Sequence, residues 1–156
     1  TNSAVETVTR LLDMGCDAFN FSDAMLGVLA QRLCKRLCPH CKEAYHPDRR
    51  EFDELVQAYG ADDWERIGVT YSSDLTFYRA CGCERCNQSG FKGRMALHEL
   101  LVGSDEIKRC IQARAKTAEM ARVARYEGMV TLLQHGIQKV VEGVTTYRQV
   151  RTVAVK

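Results

Sequence analysis

The sequence predicts a mainly α-helical chain that carries a small β-containing subdomain built on four cysteines. The first observation is a pair of C-x-x-C motifs, Cys38-Pro39-His40-Cys41 and Cys83-Glu84-Arg85-Cys86. Two residues between cysteines is the spacing at which a tight turn aims both thiolates at one ion. The second observation is that apolar residues on both sides of these motifs recur every three to four positions, which is typical of amphipathic helices.

Two helices are predicted before the first motif. Ser3 and Glu6 form a capping box, and Gly15 ends the helix that this box opens. A second helix is predicted from Ser22 to about Leu33, because apolar residues recur there with helical spacing. A short basic segment then leads into Cys38.

The segment between the motifs is predicted to mix one helix with short strands. Asp48 begins a capping box whose helix ends at Gly60. Residues 69–71 and 75–78 are β-branched and aromatic, which favours short strands. If the two motifs share one ion, residues 42–82 form a loop that the metal closes.

A strand over residues 95–102 is predicted to leave the second motif, and the pattern then becomes helical. The helices predicted after this strand begin at Ser104, Thr117, Thr131 and Thr146.

Composition excludes several functional classes. A net charge of +2 argues against a strongly basic nucleic-acid binder. No apolar run approaches the roughly 18 residues of a membrane span, and no signal peptide opens the chain. The phosphate loop, the dinucleotide-binding glycine motif and the nucleophile-elbow motif are all absent from the sequence, which therefore shows no catalytic equipment of its own. The first residue is Thr rather than Met, which predicts a piece of a longer protein.

The eight cysteines favour a metal site over a disulfide framework, because no secretory signal accompanies them. Cys38, Cys41, Cys83 and Cys86 are the predicted ligands of one structural Zn²⁺, since four thiolates leave no open position for catalysis. Free or disulfide-bonded cysteines and a redox-active C-x-x-C remain as alternatives. Cys81 lies outside both spacings. The remaining cysteines are interpreted as buried thiols in helices: Cys16, Cys34 and Cys110.

Other polar residues are interpreted as structural. His40, between two ligands, is a less favoured substitute ligand. A structural role is preferred for His98 and Glu99 over acid–base chemistry, because no catalytic partner lies near them in sequence. A cluster of basic residues is interpreted as a solvated face rather than a nucleic-acid or lipid patch: Arg32, Lys35, Arg36 and Lys42.

Several of these motifs together resemble those of the type II secretion and type IV pilus-assembly ATPases (the GspE/PilB family). The segments that carry the resemblance are Thr1-Asn2-Ser3-Ala4, Thr9-Arg10-Leu11-Leu12-Asp13-Met14-Gly15, Leu29-Ala30-Gln31-Arg32-Leu33, Cys38-Pro39-x-Cys41, Gly82-Cys83-x-x-Cys86, Gly90-Phe91-x-Gly93-Arg94 and His98-Glu99-Leu100-Leu101. The resemblance covers essentially the whole chain and is weakest over residues 47–80.

The resemblance implies that the whole protein is a hexameric RecA-like P-loop ATPase of α+β type, which assembles pilin or pseudopilin subunits. This chain would be its C-terminal portion: closing helices of the RecA-like domain (1–37), a zinc subdomain (38–94) and a mainly helical end (95–156). The phosphate loop, Walker B segment and acidic box would lie upstream of Thr1. ATP and Mg²⁺ would therefore bind only the parent protein, and this chain would hold no catalytic or nucleotide-binding residue.

The same resemblance implies neighbouring protomers of the hexamer and inner-membrane platform proteins as partners, with no nucleic acid and no direct membrane insertion. It implies a location in the bacterial cytoplasm, peripheral to the inner membrane. Without the resemblance, a stand-alone zinc-ribbon module that binds nucleic acid is the main alternative, and a thiol oxidoreductase is a third. Near-neutral charge and the helix-rich ends argue against the nucleic-acid module.

Overall fold

A computed structural model describes residues 2–155, and Thr1 and Lys156 lie outside the described part. Its elements in chain order are α1 (Ala4–Asp13), α2 (Ala18–Ala24), β1 (Gly27–Leu37), β2 (Glu43–Tyr45), α3 (Arg49–Tyr59), a 3₁₀ turn (Trp64–Ile67), β3 (Phe77–Arg79), a second 3₁₀ turn (Glu84–Cys86), β4 (Phe91–Val102), α4 (Asp105–Gln112), α5 (Thr117–Tyr126), α6 (Leu132–Val141) and α7 (Tyr147–Ala154). Strand β1 pairs with β4, and β2 pairs with β3, so the fold is mixed α/β. None of the helices within the described residues is both long enough and apolar enough to cross a membrane.

The chain forms two compact units. Unit 1 contains the chain up to Gln31 together with His98–Leu132, and unit 2 contains Arg32–Leu97 together with the chain from Leu133. The three-part division predicted above (1–37, 38–94 and 95–156) rests on the family resemblance, and it stays a prediction.

Unit 1 is a helical unit with one apolar core. Two of its helix starts follow the predicted capping chemistry: the Ser3 hydroxyl accepts the Glu6 N–H, and the Ser104 hydroxyl accepts the Ile107 N–H. Each cap satisfies a backbone donor that the first helical turn would otherwise leave without a partner. The core is formed by Ala4, Val5, Val8, Leu12, Ala18, Met25, Leu101, Ile107, Ile111, Met120 and Ala124.

The predicted helix from Ser22 to Leu33 is wrong. Helix α2 ends at Ala24, and β1 begins at Gly27 and pairs with β4. Ser22 is buried inside α2 rather than capping a helix, and Asp17 supplies the cap by accepting the Asn20 N–H. The apolar spacing was compatible with a helix, but pairing with a distant strand overrode this local preference.

Unit 2 contains a small antiparallel ribbon in which Tyr45 of β2 lies opposite Phe77 of β3. The predicted capping box at Asp48 is confirmed, since its carboxylate accepts the Glu51 N–H at the start of α3. The strand predicted over residues 69–71 is wrong. That stretch instead supplies Val69 O as the acceptor for the Trp64 indole N–H and an aromatic ring that packs on α3. The strand predicted over residues 75–78 is present but begins two residues further along the chain, as β3 (Phe77–Arg79).

The last two helices of the chain follow the predicted pattern. Thr146 caps α7 by accepting the Gln149 N–H, and Val150 on its inner face is fully buried. In α6, Ile137 is fully buried and Val140 nearly so.

Glu99 is a buried carboxylate that joins two helix starts in unit 1. One oxygen accepts the N–H of Ala4, the first residue of α1, at 2.8 Å, and the other accepts the N–H of Leu132, the first residue of α6, at 3.0 Å. Only 3% of the residue is exposed. A carboxylate at the positive end of two helices is favourable in both contacts, so the residue is structural, in agreement with the sequence interpretation.

Replacing Glu99 with Gln is expected to lower the free energy of unfolding by roughly 1–2 kcal/mol. The amide has only one acceptor oxygen, whereas each of the two N–H donors needs an acceptor of its own. Chemical denaturation of both proteins measures this difference. Glu54→Gln, at an exposed position in the middle of α3, is the matched control and should change stability little. Equal stability of Glu99→Gln and the unsubstituted chain would show that the two contacts do not support the helices.

Candidate metal centre

The structure brings the four predicted cysteines together. The Sγ atoms of Cys38, Cys41, Cys83 and Cys86 all lie within 4.8 Å of one another. Individual Sγ–Sγ distances are 3.9 Å for Cys38–Cys83, 3.8 Å for Cys41–Cys86 and 3.7 Å for Cys83–Cys86. Cys38 and Cys86 are buried, and the other two are half-buried. The two motifs, far apart in sequence, therefore form one four-thiol cluster.

The first motif turns directly after β1. The carbonyl of Cys38 accepts the N–H of Cys41 at 3.4 Å and the N–H of Lys42 at 3.0 Å, which closes a tight turn. The N–H of Cys38 donates to the carbonyl of Gly90 at 2.9 Å. That bond ties the first motif to the residue that ends the second motif's turn.

The second motif is a 3₁₀ turn that continues into a tight reversal. The Cys83 carbonyl accepts the N–H of Cys86 at 3.2 Å and that of Gln88 at 2.8 Å. Gly90 has φ +79°, and a Cβ built on it would lie 2.6 Å from the Cβ of Ala80. Only glycine fits this position, so the glycine that follows the motif is part of the site's construction.

Backbone N–H groups point at two of the sulfurs. Gly82 N donates to Cys41 Sγ at 3.3 Å. Cys83 N and Gly90 N donate to Cys86 Sγ at 3.3 and 3.2 Å. Such donors stabilise negative charge on sulfur, and the thiolate is the form of cysteine that binds metals.

The thiols of the cluster differ in acidity. Burial opposes ionisation of Cys86, but the N–H groups of Cys83 and Gly90 and the adjacent thiols outweigh burial and lower the pKa of Cys86 to about 6. Burial is the main cause that raises the pKa of Cys41 to about 12, and the three neighbouring thiols add to it. Hydrogen bonding thus favours the thiolate form of Cys86.

The donor set and its spacing fit a tetrahedral zinc ion. Zinc–thiolate bonds of about 2.3 Å in a regular tetrahedron place sulfurs about 3.8 Å apart, which is the separation of the three pairs given above. A disulfide would require sulfurs about 2.0 Å apart, and all eight cysteines are free thiols. Four sulfurs around one ion leave no open coordination position, so an ion bound here would stabilise the fold rather than react.

Residues that the sequence left as lesser candidates lie outside the cluster. His40 accepts a hydrogen bond from Arg85 at 3.0 Å on the exposed surface, and Cys81 is exposed. In the basic cluster, Lys35 and Arg36 are exposed, whereas Lys42 is half-buried. The Lys42 ammonium donates to the carbonyl of Gly143 at 2.9 Å and lies 4.2 Å from the centre of a tyrosine ring. Sequence reasoning missed this long-range contact, and no local pattern indicates it.

These features define a mixed α/β chain with a candidate four-thiol metal site between two C-x-x-C turns. Comparison with known proteins identifies the family of the chain. The chain belongs to the family described as type II/IV secretion system protein, whose model matches residues 1–152.

Curated relatives come from both branches of that family. The chain is 42% identical over 150 residues to the type IV pilus assembly ATPase PilB of Thermus thermophilus, covering 96% of this chain and 16% of the relative. It is also 42% identical over 150 residues to the type II secretion system protein E of Pseudomonas aeruginosa, covering 96% of this chain and 27% of the relative. The type II secretion system ATPase E of Vibrio cholerae is 37% identical over 156 residues, covering 98% of this chain and 28% of the relative. The chain thus spans less than a third of the length of these relatives.

Proposed function

We propose that this chain is the C-terminal, zinc-binding region of a hexameric bacterial motor ATPase that powers pilin or pseudopilin assembly. The motor serves either type II secretion or type IV pilus biogenesis. The observation that carries the proposal is the four-thiol cluster, with sulfur separations of 3.7–3.9 Å, in a chain of the secretion family.

The proposed ligands of the zinc ion are Cys38, Cys41, Cys83 and Cys86. When bound, the ion would supply a cross-link between two turns that are separated by residues 42–82. Backbone donors from Gly82, Cys83 and Gly90 already face two of the sulfurs, which supports a site built for anionic thiolates. The role of the ion is structural.

ATP hydrolysis is assigned to the parent protein. Two of the three relatives described above are ATPases, and this chain covers 16–28% of the length of the three. The proposed division has closing helices of the RecA-like domain at 1–37, the zinc subdomain at 38–94 and a helical end at 95–156. The nucleotide-binding segments would lie elsewhere in the parent, and the chain itself would support the motor without catalysing.

The proposed partners are neighbouring protomers of the hexamer and proteins of the inner-membrane platform. The parent would work at the cytoplasmic side of the inner membrane through those partners. This part of the proposal rests on the two kinds of relative, one from a secretion system and one from a pilus system.

A chimaera tests the proposal. The matching region of the Pseudomonas aeruginosa type II secretion protein E is replaced by this chain, and secretion by the bacterium is measured. We expect secretion to continue, because the two sequences are 42% identical over 150 residues. The same chimaera carrying Cys86→Ser should fail to secrete, whereas the chimaera carrying Cys81→Ser should continue to secrete. A matching chimaera of the Thermus thermophilus pilus assembly ATPase tests the pilus branch by pilus assembly. If both chimaeras accumulate as stable hexamers and neither secretes nor assembles pili, the proposed role is contradicted.

A further inference from the structure

The connection between α6 and α7 is held by the strand that enters the metal site. The carbonyl of Val144 accepts the Leu37 N–H at 2.9 Å. Thr145 is only 1% exposed, and its hydroxyl donates to the carbonyl of Lys35 at 2.8 Å. The same hydroxyl lies 3.4 Å from the sulfur of Cys34. The connection is therefore attached to the residues that immediately precede the first ligand.

Lys42 adds an attachment from the other side of the first motif. It directly follows Cys41, and its ammonium donates to the carbonyl of Gly143 at 2.9 Å. The same ammonium lies 4.2 Å from the centre of the Tyr78 ring. A cation at carbonyls that follow a helix is favourable, and the aromatic face adds a cation–π contact. The position of Lys42 depends on the turn that begins at Cys38 and ends at Cys41.

Helix α7 has little stability of its own. It spans Tyr147–Ala154, eight residues, and Val150 is its one buried residue. Isolated helices shorter than about 12–15 residues are marginal in water. Its order therefore depends on the packing of Val150 and on how firmly the preceding connection, residues 143–146, is held.

We propose that zinc occupancy of the four-cysteine site controls the docking of α7. Binding of the ion fixes the first turn, and with it Lys42 and the Leu37 backbone, against residues 143–145. Loss of the ion releases these contacts, and α7 loses its support. Lys42 is the positioning residue of this device. The inference rests on the proposed metal site, and it adds a regulated segment to it.

Hydrogen exchange on the zinc-loaded chain tests this coupling. Removal of zinc with a chelator is expected to make the amides of α7 exchange at least about tenfold faster, while amides of α5 in unit 1 keep their rates. Lys42→Met should accelerate α7 exchange to a similar degree while zinc stays bound, and Lys42→Arg should restore slow exchange. Zinc content is measured in every sample.

The possible outcomes separate the two proposals. A chain that binds no zinc refutes the proposed metal site and this coupling with it. Zinc release that leaves α7 exchange unchanged refutes the coupling alone. Lys42→Met with zinc bound and unchanged α7 exchange shows that Lys42 does not transmit the effect. Faster exchange in α5 as well as in α7 would also contradict the inference, because the loss would then be global.

Discussion

Replacing Cys86 with Ser is expected to abolish stoichiometric zinc binding and to unfold much of unit 2. The Cys86 sulfur lies 3.7 Å from that of Cys83 and 3.8 Å from that of Cys41, and it accepts two backbone N–H bonds. A serine hydroxyl does not ionise at neutral pH and is a poor zinc ligand. Structural zinc supplies on the order of 10 kcal/mol to small zinc-dependent folds, which is comparable to the whole stability of a domain.

Metal analysis and circular dichroism measure both effects. The unsubstituted chain, purified without chelator, should contain about one zinc ion for each set of four thiolates, and the Cys86→Ser variant should contain almost none. Cys81→Ser is the matched control, since Cys81 is exposed and lies two residues from Cys83 but outside the cluster. Unchanged zinc content and unchanged thermal unfolding in Cys86→Ser would show that the cluster is not a metal site.

The structure also changes which residues are expected to unfold in the Cys86→Ser variant. From the sequence alone, loss of a ligand is expected to unfold residues 38–94 in part and to leave the terminal helices mostly helical. Unit 2, however, includes the chain from Leu133 onward, and Lys42 contacts Gly143. We therefore expect the loss of helical signal to include α7 and to spare α4 and α5 of unit 1.

Local chemistry made the helix starts predictable. Ser3, Asp48, Ser104 and Thr146 were predicted as caps, and each accepts the N–H of the residue three positions later. The cap predicted at Thr117 is wrong, because Thr117 is the first residue of α5 and Lys116 precedes it without a side-chain cap. Such a cap depends only on four consecutive residues, so the sequence contains all the information that it needs. The C-x-x-C turns are equally local, and their clustering followed from the chemistry of thiolates.

Strand β1 was not predictable in the same way. Helical spacing of apolar residues was the basis of the predicted helix: Ala24, Met25, Val28 and Leu29. Gly27–Leu37 is nevertheless a strand, because β4, more than fifty residues later, supplies its partner. Burial alternates along the first half of β1: Leu29, Gln31 and Leu33 are exposed, whereas Ala30 and Arg32 between them are half-buried. A pattern read within one segment cannot identify a partner from another, which is why the strand was assigned as helix.

The supporting contacts of single charged residues were also beyond local reasoning. Glu99 bonds to Ala4 and Leu132, and Lys42 bonds to Gly143. The sequence indicated only that neither residue had a catalytic partner nearby. Their geometry depends on the assembled fold, because each contact joins residues at least 33 positions apart.

Gly136→Ala is expected to destabilise unit 2 by about 3 kcal/mol, although alanine is the better helix former. A Cβ at this position in α6 would lie 2.3 Å from Cγ1 of Val150 and 3.2 Å from Cδ1 of Leu97. Both of these side chains are fully buried. Valine is β-branched and cannot turn its methyl groups away without leaving its preferred rotamer, so α7 must shift. Thermal denaturation should show a melting temperature of unit 2 that is lower by roughly 12–24 °C.

A double-mutant cycle identifies the cause. Val150→Ala removes both methyl groups nearest to the new Cβ and by itself leaves a cavity that costs about 1–3 kcal/mol. In the double variant, the alanine at 136 fills part of the space that Val150 leaves. The double variant should therefore lose much less stability than the two single variants lose together. Additive costs would mean that Gly136 is required for a reason other than contact with α7. Strong compensation would instead establish that a side chain as small as glycine at 136 is what lets α7 pack closely on α6.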